Sequence, residues 1–313
     1  MTAYILRRLL ATIPVMVVVA LFVFLLLHLT PGDPAAVIAG DEATPQAVEM
    51  IRAKLGLDRP IYEQFGIYVS NLLRGDLGTS IFSNLPVTKL VMQRLEPTVV
   101  LAITTIVMAI LLAVPMGVVA AWKARSAVDR VVMGFSVLGF AVPVFLVGYV
   151  LIYIFSIELK WLPVQGYSPM AEGIGKTAQS IVLPAFALSM VYMALIARIT
   201  RASMMEVLSE DYIRTARAKG VATIFVLLRH ALKNAAVPIV TVIGIGLTLL
   251  ISGVVITETV FNIPGLGRLT VDAILKRDYP IIQGLIILFA GVKVMVNLLI
   301  DISYVFFDPR IRY

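Results

Sequence analysis

The sequence predicts an all-α polytopic membrane protein with six transmembrane helices, and three observations carry that prediction. First, hydrophobic residues make up 60% of the 313-residue chain and charged residues only 14%, well under the quarter usual in globular domains. Mean hydropathy is +0.96. A soluble core of this size would leave the surplus facing water, so its natural solvent is lipid. Second, six apolar stretches reach or approach the roughly 20 residues that cross about 30 Å of hydrocarbon. They are Leu9–Leu29, Thr98–Trp122, Val131–Ile157, Ser180–Ala197, Ala235–Thr257 and Pro280–Phe307. Third, the charges divide by side. With the N-terminus cytoplasmic, residues 1–8, 123–130, 198–234 and the tail after Phe307 hold 14 basic and 5 acidic residues, and the opposite side holds 11 and 13. That is the positive-inside pattern, and it accounts for the net charge of +7 without nucleic acid. The lack of cysteine excludes a disulfide scaffold, thiolate catalysis and Cys-ligated zinc.

The elements follow in order. Arg7 and Arg8 precede the first span, which is longer than a signal-peptide core and has no A-x-A site after it, so it reads as an uncleaved anchor. His28 ends that span. It and His230 are too far apart in sequence to suggest a metal site, and each reads as a structural histidine. In the outer-side loop, Thr44 caps a helix with Pro45 at its first position, running to Leu55 and stopped by Gly56. A second helix starts at Pro60 and stops at Gly75; its apolar face is expected on the membrane surface or on a partner. From Pro86 an amphipathic stretch leads into span two, where Ala109, Ala113 and Gly117 form a small-residue packing ridge. Pro14, Pro115, Pro143, Pro184 and Pro238 mark expected kinks within or at the mouths of spans. Span four is the shortest.

The cytoplasmic loop between spans four and five is the most informative segment. Ser209 is the expected N-cap of a short helix with Glu210 and Asp211 in its first turn, Arg217 and Lys219 in its last, and Gly220 as its stop. Thr223 is expected to cap a second helix from Ile224 to Lys233. A helix–Gly–helix element on the cytoplasmic side suits a docking protein far better than a DNA groove. Between spans five and six, Val260, Phe261, Ile263, Leu266 and Leu269 suggest a segment dipping back toward the membrane where protein buries it. Gly265-Leu266-Gly267 lacks the strand–helix context of a nucleotide site. Two ionisable groups, Lys293 and Asp301, lie inside the last apolar run and open either a functional role or pairing across helices. An intramembrane enzyme or an ATP-independent transporter remains open on composition alone. There is no Walker A, H-E-x-x-H or G-x-S-x-G motif in the chain, and no internal repeat.

At EDYIRTARAKG and RHALKNAAVP, at ETVFNIPGLGRL with RDYP, and at the ending VNLLIDISYVFFDPRIR, the chain resembles the inner-membrane permease subunits of bacterial ABC importers in the dipeptide/oligopeptide/nickel group, glutathione importers especially. The opening YILRRLL and the helix LGLDRPIYEQF match the same group, so the resemblance covers essentially the whole chain. It departs from the general importer loop, EAA-x3-G followed by I-x-L-P. Arg214, Thr215 and Ala216 occupy the EAA positions, and His230, Leu232 and Lys233 replace the ending.

The resemblance implies a type I ABC importer permease fold in the bacterial inner membrane with both termini cytoplasmic. Residues 1–95 would be an anchor helix with a helical outer-side loop, 96–305 the transmembrane domain, and 306–313 a short tail. It implies a non-enzymatic subunit working with a second permease, two cytoplasmic ATPases that carry ATP–Mg, and an extracytoplasmic binding protein. No cofactor or metal is expected on the chain itself. The substrate would be di- or oligopeptides, glutathione included, with nickel or a nickel chelate as the alternative. The ATPase-coupling residues would be Glu206, Ser209, Glu210, Asp211, Arg214, Thr215, Ala216, Arg217, Ala218, Lys219, Gly220 and His230. Candidates for an outer-side gate are Glu258, Pro264, Gly265, Gly267 and Asp278.

Overall fold

The computed structural model describes residues 2–29, 33–40 and 43–307. Among the described residues the regular structure is helical, with one isolated antiparallel bridge between Thr79 and Pro86. The chain forms two compact units. One holds residues up to Leu95 with Leu269–Met295, and the other Glu96–Arg268 with the chain from Val296 onward.

In the first unit, α1 (Thr2–Leu29) is 28 residues long, about 42 Å at 1.5 Å per residue. Pro14 sits inside it without ending it. Val18 and Phe22 are exposed, while Val23, Phe24 and Leu27 are buried. Asp33 caps α2 (Pro34–Ala39) by accepting the Ala35 N–H at 3.1 Å, and pairs with Arg52 at 2.6 Å. The next helix, α3 (Pro45–Leu55), starts and stops where the local chemistry predicts. Thr44 Oγ1 accepts the Ala47 N–H at 3.3 Å, and Gly56 turns the chain at φ +66°. Phe65 and Tyr68 of α4 (Ile61–Leu73) lie on Phe24, 5.2 and 5.7 Å between ring centres. His28 Nε2 and Gln64 Oε1 are 3.0 Å apart, so this histidine is structural. The apolar face of α4 is therefore used partly within the chain; Tyr62 and Leu73 remain exposed. Burial pushes the Tyr68 hydroxyl up to about 12.

The amphipathic stretch after Pro86 and span two are one helix, α5 (Val87–Trp122), with Pro97 and Pro115 inside it. The third predicted span needs correction. Val131–Ile157 is not one helix but α6 (Ala127–Ala141) and α7 (Val144–Leu151), the latter continuing as a π-helix over Ile152–Glu158, and the two arms meet at 104°. Pro143 has no N–H to give, and its ring drives Val142 into an extended conformation at φ −93°, ψ 123°. Among the described residues five helices are long and apolar enough to cross a membrane: α1, α5, α8 (Ile174–Leu208), α12 (Ala236–Val260) and α14 (Tyr279–Phe307). The bent pair makes six if it is one span.

The shortest predicted span proves to be the most buried. In α8, 72% of the apolar window is buried, against 6% in α14. Other helices approach α8 through small residues. A Cβ on Gly117 of α5 would lie 2.6 Å from Thr200 Cβ and 2.7 Å from the Ala197 carbonyl, and one on Gly139 of α6 would lie 2.9 Å from the Met190 carbonyl. Ala109 and Ala113 are fully buried, so the predicted ridge is a packing face. The expected loop 198–234 begins too early, because α8 runs on to Leu208 and carries Arg198 and Arg201. Arg201 fastens α8 to the start of α6. Its Nε and Nη2 donate to Asp129 at 2.5 and 2.7 Å, and the Arg125 N–H donates to the same carboxylate at 2.8 Å.

Candidate functional site

The loop after α8 is a helical hairpin. Ser209 does not cap its first helix as predicted. Its N–H and hydroxyl both donate to the Glu206 carbonyl, at 3.1 and 2.7 Å, so it ends α8. The cap position falls to Glu210, whose side chain makes no cap bond, and α9 (Asp211–Ala218) follows. Asp211 in its first turn and Arg217 in its last complement the helix dipole. Lys219 closes the helix. Gly220 follows at φ +77° with its N–H on the Arg217 carbonyl at 3.0 Å, and Val221 N–H reaches the Ala216 carbonyl at 3.2 Å.

The second arm starts one residue earlier than predicted, because the Ala222 carbonyl already accepts the N–H groups of Phe225 and Val226. Thr223 is thus helical and not a cap. The arm comprises α10 (Thr223–Phe225), a π-helical stretch (Val226–Ala231) and α11 (Leu232–Asn234).

The hairpin has two apolar faces. Ile213, Val226, Leu227 and Ala231 pack with Val118 and Ala121 of α5, Met204 of α8 and Ile239 of α12. On the outside, Tyr212, Ile224, Phe225 and Leu228 are exposed, and Arg214, Thr215, Arg217, Ala218, Lys219 and Arg229 are exposed as well. Arg214 pairs with Asp211 at 3.2 Å in the open, where such a pair contributes little. Burial holds the Tyr212 hydroxyl above its usual range; a hydrogen bond with Asn234 opposes this and the Glu210 carboxylate adds to it. His230 is half-buried and its carbonyl accepts from Asn234 at 2.7 Å. Of these exposed residues, sequence reasoning selected Arg214, Thr215, Arg217, Ala218 and Lys219 and missed Tyr212, Ile224, Phe225, Leu228 and Arg229. The signal was present, since IFVLL is apolar all round and a helix of that kind has two faces to cover.

Of the outer-side candidates, the structure brings four together. Glu258 is fully buried at the end of α12. Thr98 Oγ1 donates to Oε1 at 2.6 Å and Arg268 N–H to Oε2 at 2.9 Å, while Leu266 N–H donates to the Thr98 hydroxyl at 2.8 Å. The isolated G-x-G is explained here. A methyl on Gly265 would overlap the Glu258 carboxyl, and one on Gly267 would lie 2.6 Å from Val255 Cα and 3.0 Å from Oε2. After Pro264 the chain continues as α13 (Leu266–Lys276), with Phe261, Ile263, Leu266 and Leu269 buried in protein. Asp278 belongs to the first unit, where it is buried and accepts from Ser80 Oγ at 2.6 Å and Ile81 N–H at 3.4 Å. Lys293 is exposed on α14 and Asp301 is half-buried. Among the described residues no group of three or more His, Asp or Glu side chains is placed to hold a metal.

The chain matches the family described as "Binding-protein-dependent transport system inner membrane component" over residues 113–313, and the corresponding N-terminal family over residues 1–102. It is 55% identical to a probable peptide ABC transporter permease protein of Sinorhizobium fredii, with both chains covered in full. It is 45% identical to the glutathione transport system permease protein GsiC of Escherichia coli (strain K12), again over all of both chains. A chain of the inward-facing MetNI methionine ABC transporter superposes with a TM-score of 0.59 at 14% identity, covering 71% of this chain and 97% of that one.

Proposed function

This chain belongs to the family of inner-membrane permeases of binding-protein-dependent ABC importers and has their type I fold; on that premise, we propose that it forms, with a second permease, the path by which di- or oligopeptides, glutathione among them, enter the cell. The observation that carries the substrate class is full-length identity of 55% to a probable peptide permease. In this reading two cytoplasmic ATPases hydrolyse ATP–Mg, an extracytoplasmic protein delivers the peptide, and both termini are cytoplasmic, as the charge census favours. Residues 96–305 are the transporting body, 1–95 the anchor and outer-side helices, and 306–313 the tail. Glu258, Pro264, Gly265, Gly267 and Asp278 hold the outer side.

The hairpin from Glu206 to His230 couples the ATPases to the path. Its inner face is packed on the ends of α5, α8 and α12, so a push on the hairpin moves three long helices as one body. Ile224, Phe225 and Leu228, exposed on the same hairpin as Arg214, Arg217 and Arg229, offer the ATPase apolar anchors together with basic side chains. Gly220→Pro removes the N–H bonded to Arg217 and cannot adopt φ +77°. It is expected to abolish peptide uptake and ATPase co-purification. Phe225→Ala, on the exposed face, tests the same contact with the fold spared. Uptake and co-purification at wild-type levels in both variants would refute the coupling role, and an intact complex that moves no peptide would refute the substrate class.

A further inference from the structure

Arg198 has chemistry that the coupling role does not use. It lies on α8 one turn before Arg201, yet the two arginines are treated differently. Arg201 is held by Asp129. Among the described residues no carboxylate lies within ion-pair reach of Arg198, and its guanidinium instead sits over the Phe140 ring, 5.4 Å from the centroid. The direction of the side chain matters. Asp129 meets Arg201 at one end of the α6–α8 pair, and Gly139 meets Met190 and Ala194 at the other. Reaching Phe140, next to Gly139, takes the guanidinium away from the hairpin and toward the N-terminal end of α8, the direction in which helical side chains lean. An arginine seeking the interface would run the opposite way.

The guanidinium lines a partly open cavity of about 480 Å³, together with Met133, Ser136, Val137, Phe140 and Ala194. That volume falls among pockets that hold small organic ligands, about 300–1,000 Å³. Its walls are aliphatic and aromatic. Ser136 Oγ already donates to the Val132 carbonyl at 2.9 Å, which leaves its lone pairs to accept. The pocket thus offers one cation, one acceptor and an apolar wall, with Arg198, Val137 and Phe140 exposed along its open side. We propose that this pocket is a waypoint for the transported peptide, with Arg198 receiving its C-terminal carboxylate while a side chain lies against Phe140 and Val137. A planar fork matches a carboxylate in two contacts, and the charge has no counter-ion among the described residues to displace. The inference rests on the peptide reading above and adds to it the group by which this permease senses its cargo.

The test uses the complete importer in proteoliposomes, saturated with its binding protein. Uptake of a labelled tripeptide is compared with uptake of the same peptide amidated at its C-terminus, for the wild type, Arg198→Gln, Arg198→Lys and Phe140→Leu. Taking the acid-to-amide ratio within each complex cancels the binding protein's own preference. Arg198→Gln is expected to lower that ratio about tenfold, the loss of one charge-assisted contact. Arg198→Lys should keep most of the preference, and Phe140→Leu should lose part of it with the charge intact. Equal loss of acid and amide uptake in the Gln and Leu variants would overturn the inference and leave the peptide reading standing. So would a ratio that collapses in the wild type when anionic phospholipid is replaced by zwitterionic phosphatidylcholine, which identifies an anionic lipid headgroup as the occupant. Failure of the wild type to move either peptide would overturn both.

Discussion

Gly265→Ala is a one-methyl change whose cost follows from the Glu258 cradle. The added methyl would fall well inside the roughly 3.5 Å contact distance of two heavy atoms, against the carboxyl carbon and both oxygens. Gly265 has no positive φ, so backbone strain contributes nothing and the penalty is steric. The carboxylate cannot retreat cheaply. It is fully buried, and moving about 1 Å breaks its bonds from Thr98 Oγ1 at 2.6 Å and Arg268 N–H at 2.9 Å. At about 1.5–3 kcal/mol for each bond to a charged group, the variant loses about 3 kcal/mol or more. Glu258→Ala alone loses a similar amount, because it leaves the Arg268 N–H and the Thr98 hydroxyl without their carboxylate. The double variant, however, fills part of the space that the carboxylate vacates. Its loss is expected to fall at least about 2 kcal/mol short of the sum of the two single losses. Denaturant titration of the purified complex in mixed micelles, with the thermal midpoint as a second reading, measures all four corners of the cycle. Additive losses, or a Gly265→Ala variant within about 0.5 kcal/mol of the parent, would sink the argument.

Two other contacts yield predictions of the same kind. Asp129→Asn strands Arg201, whose side chain is 25% exposed, so the loss belongs at the lower end of the range for broken buried pairs, about 3 kcal/mol. A cycle with Arg201→Gln should give a coupling above the roughly 1 kcal/mol ceiling of exposed pairs, and a smaller value would make the pair a surface contact. Gly117→Val drives side-chain atoms into Thr200 and the Ala197 carbonyl, and should cost about 3 kcal/mol and lower the amount of intact chain recovered from membranes. The same change at Gly134, which has open space around it, should leave recovery unchanged; equal effects at both sites would remove the close-packing explanation.

How far the sequence could be read depended on the distance over which each feature is decided. Thr44, Pro45 and Gly56 act within their own helix, and α3 has the predicted bounds. Gly220 likewise stops α9 by its own φ. Ser209 shows the local limit: it had two helices to serve, and the carbonyl of Glu206 won it for the earlier one. Pro143 was visible as a break, but a 104° turn depends on what the second arm packs against, and there Gly148 meets Phe261, more than a hundred positions away. The contacts that build the outer cluster and join α6 to α8 are separated by 160 and 72 residues. No window along the chain contains both partners. The family motifs bridged that gap only in part, placing Glu258, Gly265 and Gly267 in one segment without the reason that the glycines make room for the carboxylate.

The ranking of spans by apolar length carries a further physical lesson. A helix with little protein around it must be predominantly apolar, and the windows of α1 and α14, 17% and 6% buried, are, with Lys293 the exposed exception on α14. A helix surrounded by other helices needs small residues for close approach, and tolerates hydroxyls that bond their own backbone. Ser189 Oγ donates to the Phe186 carbonyl at 2.8 Å, and Ser180 Oγ to that of Thr177 at 2.9 Å. Such residues shorten the apolar run, so the weakest predicted span is the one at the centre of its unit. Arg201 has Asp129. Arg198 stands beside it without a counter-ion among the described residues, turned toward an apolar cavity, and an anion from outside the chain completes what the sequence began there.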